Sequence, residues 1–201
     1  LVEQGVSGLD LFSVRRQTGA GVKRVLRLLV GVAVVAAAAL IWTAPDGTGP
    51  RYTPESELLL PEGVERWVAV GSSLGLGYSV AEAELGGESF HTVLLEPGGY
   101  DRYRHTGRFP DGTMLALVIR SPAARVAPSR TGRVAGELVG IEMAVKDTDR
   151  FAGGWAYFDF GRRGPGASAR PFPPERCARC HAEHAARDNV FVQFYPVLQT
   201  P

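Results

Sequence analysis

Cys177-Ala178-Arg179-Cys180-His181 holds both cysteines of a 201-residue chain and one of its four histidines. That spacing has a defined chemistry. Each thiol can add across one haem vinyl group to make a thioether, and the histidine beside the second thiol can ligate the iron. On a helix, positions i, i+3 and i+4 share a face. Cys177, Cys180 and His181 would therefore point together at one edge and one face of a porphyrin. Two other chemistries use such a pair. A closed zinc site needs four ligands, and the chain has no second Cys-x-x-Cys. A redox dithiol of the thioredoxin kind sits near a βαβ pattern, which this sequence lacks. The pentapeptide reads as the attachment site of one covalent haem c, with His181 as the metal ligand.

The elements that position this site are mostly strands. Arg66–Gly71, Phe90–Leu95, Thr113–Ile119, Glu137–Val145 and Trp155–Phe160 are short, rich in β-branched and aromatic residues, and bounded by turn signals. Glu96-Pro97-Gly98-Gly99 and Pro110-Asp111-Gly112 read as turns. Tyr100–Thr106 suits a short helix with Gly107 just past its end. Cys177–Asp188 is the best helix, stopped at Asp188-Asn189, and Val190–Phe194 then returns as extended chain. Residues 161–176, rich in Gly, Pro and Arg, read as a low-complexity loop, either a plain surface linker or a flap beside the haem. The expected fold class is α+β: mainly antiparallel β-sheet with short helices, and the haem-attachment helix near the C-terminus.

The amino-terminal part reads differently. Arg15, Arg16, Lys23, Arg24 and Arg27 make residues 1–27 a basic lead, and residues 28–42 carry no charge. That run is a signal-peptide core or a short membrane anchor, below the ~20 residues of an ordinary spanning helix. In both cases positive charge stays inside and the rest is exported, to a periplasmic or other extracytoplasmic location. Residues 43–54 form a Pro/Gly-rich linker, and residues 55–201 have the length of one domain. Past residue 50 there are 17 Lys and Arg against 18 Asp and Glu. That balance gives no electrostatic footprint for nucleic acid.

Several segments taken in order resemble the cytochrome P-460 and cytochrome c′-beta family. They are Glu57–Gly63, Arg66–Gly71, Ser89–Pro97, Thr106–Thr113, Gly140–Asp147, Gly153–Phe160, the pentapeptide, and Val190–Leu198. The resemblance implies a mostly antiparallel β-sheet domain, a homodimer, and a five-coordinate haem. It implies one of two chemistries. In the hydroxylamine-oxidising branch a lysine in the strand after the Asp-Gly-Thr segment bonds to the porphyrin. Alignment on Asp111-Gly112-Thr113 puts Leu117 at that position. The chain's two lysines, Lys23 and Lys146, lie elsewhere. The sequence therefore stands nearer the cytochrome c′-beta type, whose expected ligands are small neutral gases, nitric oxide and carbon monoxide, or a nitrogen-oxide substrate with a redox partner.

The resemblance also marks distal residues. Phe109 matches a phenylalanine that caps the iron, against ordinary core packing before a turn. Glu142 matches an acidic distal position with a catalytic acid/base role. A carboxylate among apolar strand residues is costly unless paired or functional, and Arg102 or Arg104 could pair with it. Candidate sixth ligands are His91, His105, Met114 and Met143. His91 is expected to face outward, His105 and His184 to be solvated, and both methionines to be core residues. Two further functions stay open: a hydroxylamine or nitric oxide oxidoreductase, and an electron-transfer cytochrome with a Met or His sixth ligand.

Overall fold

The structure, a computed structural model, describes residues 49–77, 88–124 and 126–199. The basic lead and the signal or anchor segment at 28–42 lie outside the described residues. Among the described residues no helix is long and apolar enough to cross a membrane. The described residues belong to one compact unit.

Five strands make one antiparallel sheet: β2 (Val68–Leu74), β3 (Phe90–Leu95), β4 (Met114–Ala124), β5 (Arg133–Lys146) and β6 (Trp155–Gly161). Their order in the sheet is their order in the chain. A separate pair joins β1 (Leu58–Leu59) to β7 (Ser168–Ala169). Among the described residues there are three short α-helices: α1 (Pro97–Thr106), α2 (Ala178–His184) and α3 (Pro196–Gln199). The mainly antiparallel fold with short helices, one of them at the pentapeptide, is as the sequence reads.

Both faces of the sheet are covered, because alternate residues feed two cores. Leu94, Met114, Met143, Val145, Phe158 and Phe160 pack on one side against Leu58, Leu60 and Ala169 of the β1–β7 layer. Phe158 and Phe160 are fully buried, each contributing about 1.5–3 kcal/mol. Leu95, Leu115, Trp155 and Tyr157 pack on the other side against Tyr103, Phe109, Val190 and Leu198. Tyr103 ties α1 to the tail, donating its hydroxyl to the Leu198 carbonyl at 3.1 Å.

Four local expectations are corrected. Glu96-Pro97-Gly98-Gly99 is not a turn but the start of α1. Proline is favoured in the first helical turn, and the Glu96 carboxylate accepts the otherwise orphaned N–H groups of Gly98, at 2.7 Å, and Gly99. Val192–Phe194 is a 3₁₀ turn rather than extended chain, with only Val192 buried. The Gly/Pro/Arg-rich stretch 161–176 is pinned rather than a plain linker. Arg163 donates to the carbonyls of Phe160, Ser168 and Asp159 at 2.6–2.8 Å. Glu57 accepts from Ser168 and Arg170. The attachment helix is also shorter than expected, ending at His184.

Candidate functional site

A cavity lies between the second face of the sheet and the C-terminal segment. Counted together with its open mouth, the space is about 910 Å³. Its sheet wall is Val93, Leu115, Leu117 and Ala144, with Tyr157 at one side. Opposite stand His181, Val190, Phe191 and Tyr195. Gly71 on β2 allows the tail this close: a Cβ there would meet the Tyr195 ring at 2.5 Å.

His181 is the best-defined group. Its backbone N–H bonds to the Cys177 carbonyl at 3.1 Å, which begins the turn of α2. The ring lies between Tyr157 and Phe191, with centroids 4.4 and 4.5 Å away. Nδ1 sits 2.8 Å from the Asn189 carbonyl. A carbonyl only accepts, so Nδ1 carries the proton and Nε2 keeps its lone pair. Burial pushes the imidazole pKa down, partly offset by that hydrogen bond. The ring is thus held neutral, in the tautomer that a metal requires.

Cys177 caps α2, and both thiols are half-buried and form no disulfide. Burial, and then the nearby Glu142 carboxylate, push the Cys177 thiol pKa up. Among the described residues no group of three His, Cys, Asp or Glu side chains converges as a metal cage, so a closed zinc site does not form here. Two unpaired thiols, a neutral imidazole with a free Nε2, and an apolar cavity beside them fit a covalent haem.

The distal candidates divide. Glu142 and Leu117 are cross-strand partners on the cavity wall. Burial raises the Glu142 pKa, Asp159 on the next strand raises it further, and Arg176 pulls it back. The cation whose charge acts on Glu142 is Arg176. His91 is a correction. It lines the cavity instead of facing solvent, with its Nε2 2.9 Å from Ser89 Oγ and its pKa lowered by burial. Phe109 does not line the cavity. It is 2% exposed, stacked on Tyr103 at 4.3 Å and edge-on to Trp155 at 6.2 Å, which is a core position rather than a lid. Met114 and Met143 belong to the opposite core, although Met143 also borders the cavity. His105 and His184 are exposed.

The raised pKa of Glu142 has a stability consequence. Folded protein holds this proton more tightly than unfolded chain, so its stability falls as pH rises from the ordinary carboxylate value through the folded one. Glu142→Gln should match the parent in acid and unfold at a higher temperature at pH 7, as thermal melts across pH would read. A lower melting temperature for the variant at pH 7 would contradict this electrostatic picture.

The loop after α2 was not legible as part of the site. Asp188 and Asn189 both have positive φ, +47° and +57°, and Arg187 and Val190 pair across them. Those values suit the two central residues of a type I′ turn, where Asp and Asn are favoured. The turn aims the Asn189 carbonyl at His181.

Comparison with known proteins agrees with this geometry. The family model of cytochrome P460 matches residues 61–192. Among curated proteins none matches the chain.

Proposed function

This chain belongs to the cytochrome P460 family, c-type haem proteins of nitrogen-oxide chemistry, and from that premise we propose that it binds a small neutral gas, nitric oxide or carbon monoxide, at an iron ligated by His181 alone. When bound, the haem supplies an iron with one coordination position left for a diatomic ligand. Cys177 and Cys180 anchor it, and Asn189 orients His181 through Nδ1. Val93, Leu115 and Leu117 keep water and anions away from the wall side. Glu142 can hold or release a proton at its carboxylate beside that wall.

The observation that carries this reading is Leu117. It lines the cavity at the position where the lysine-linked branch is expected to hold its cross-linking residue. A branched alkyl group there can form no bond to the porphyrin and makes the wall more apolar. Reduced holoprotein should give a high-spin, five-coordinate spectrum that shifts on titration with carbon monoxide and nitric oxide. A low-spin, six-coordinate spectrum from protein ligands alone would overturn it.

A second reading has its own observation. His91 lines the same cavity, and as a sixth ligand it would make the protein an electron carrier. The spectrum of His91→Ala decides: an unchanged high-spin form supports the open site, and a low-spin to high-spin change supports the carrier. Hydroxylamine turnover above that of free haem would move the reading to an oxidoreductase. The basic and apolar stretches before residue 43 support export, which cell fractionation would read.

A further inference from the structure

The turn that holds His181 is itself held from the sheet. Lys146 ends β5 and Trp155 begins β6, and the two are cross-strand partners. Their side chains present two donors to one carboxylate. Lys146 Nζ donates to Asp188 Oδ2 at 2.8 Å, and Trp155 Nε1 donates to Asp188 Oδ1 at 3.2 Å. Lys146 Nζ also donates to the Phe109 carbonyl at 2.8 Å, which fixes the ammonium from a third direction. The pair is partly withdrawn from water, with the lysine side chain 16% exposed and the aspartate side chain 34%. Its attraction is therefore less screened than that of a surface ion pair.

Asp188 and Asn189 are consecutive in the positive-φ turn. The first gives its carboxylate to the sheet, and the second gives its carbonyl to His181 Nδ1 at 2.8 Å. The Tyr157 hydroxyl donates to the same carbonyl at 3.4 Å. One peptide unit thus links a fixed anchor to the imidazole. A hydrogen bond at Nδ1 raises the basicity of Nε2, and so the donor strength of the ligand.

We propose that Lys146 and Asp188 are positioning residues that set the ligand strength of His181, by locking the Asn189 carbonyl onto its Nδ1. The inference rests on His181 being the haem ligand. Loosening the clamp leaves the thioethers in place and weakens the Nδ1 hydrogen bond. The imidazole then gives less electron density to the iron, which favours the reduced state.

The test uses holoprotein of Asp188→Asn and Lys146→Met, with Glu57→Gln as a control that breaks the distant Glu57–Arg170 pair, also 2.8 Å long. Haem staining on denaturing gels reads attachment, resonance Raman of the reduced protein reads the iron–histidine stretch, and a redox titration reads the potential. Expected are parent-level staining, a lower stretching frequency and a higher potential in both clamp variants, with neither property moved in the control. Parent-level staining with unmoved frequency and potential in either clamp variant overturns the proposal. Absence of staining in the parent would instead overturn the haem assignment itself. If Asp188→Asn does not fold, Lys146→Met carries the same readings, since it removes the ammonium and leaves the Trp155 bond to keep the turn folded.

Discussion

Replacing both Cys177 and Cys180 with alanine is expected to abolish covalent haem completely. Thioether formation joins each sulfur to one vinyl carbon and passes the thiol hydrogen to the other, so a thiol is required at each end. The chain has no other cysteine, and no substitute nucleophile of that kind is available. A peroxidase-type stain after denaturing electrophoresis should mark the parent and leave the double variant blank. Single variants should stain, since one thioether survives denaturation. The cavity wall is built from β3, β4, β5 and β6 rather than from the thiols, so the double variant should keep its β-sheet signal in circular dichroism. A stained double variant would remove the two thioethers from the account.

Phe109→Ala is expected to cost about 3–5 kcal/mol of stability, the usual range for emptying a buried phenylalanine site. The ring is almost wholly enclosed between Tyr103 and Trp155, and neither neighbour can collapse far, because α1 and β6 hold them. For a domain of this size each kcal/mol lowers the melting temperature by roughly 2–4 °C. The backbone carbonyl that accepts from Lys146 survives the substitution. Gas affinity of the folded variant should therefore stay near that of the parent. The opposite pattern, a shifted affinity with an unmoved melting temperature, would return Phe109 to the lid role that the resemblance implies.

Phe109 and His91 show where reading the sequence reaches its limit. The short β-branched and aromatic run Phe90–Leu95 located β3 to the residue, and the aromatic run at residue 155 located β6. Alternation divides a strand into two faces, but it does not say what covers each. The expectation that a polar strand residue points to water assumes one wet face. Here the β1–β7 layer covers one face, and α1 with the C-terminal tail covers the other. His91 and Glu142 consequently border the cavity. The sequence left Phe109 divided between lid and core for a related reason: the stacking that packs it under α1 is set by Tyr103 rather than by local sequence. The start of α1 was legible in principle, since Pro97 follows a carboxylate able to cap. The partnership of Lys146 and Trp155 with Asp188 spans 42 and 33 positions, and no local pattern announces it. The pentapeptide needed no structure to be read, because its chemistry lies in its spacing.

The strand order of the sheet bears on how the site comes into being. Each of the five strands pairs only with its neighbours in sequence, and the last ends at Gly161. Synthesis runs from the amino terminus, so every strand of the cavity wall leaves the ribosome before Cys177 does. Such short-range pairing has a low entropic barrier. Cys177, Cys180 and His181 are made after every strand of that wall, and the facing residues from Asn189 to Tyr195 follow them. The sheet wall therefore comes first in the chain's own chronology, and the segment that carries the pentapeptide is what closes it.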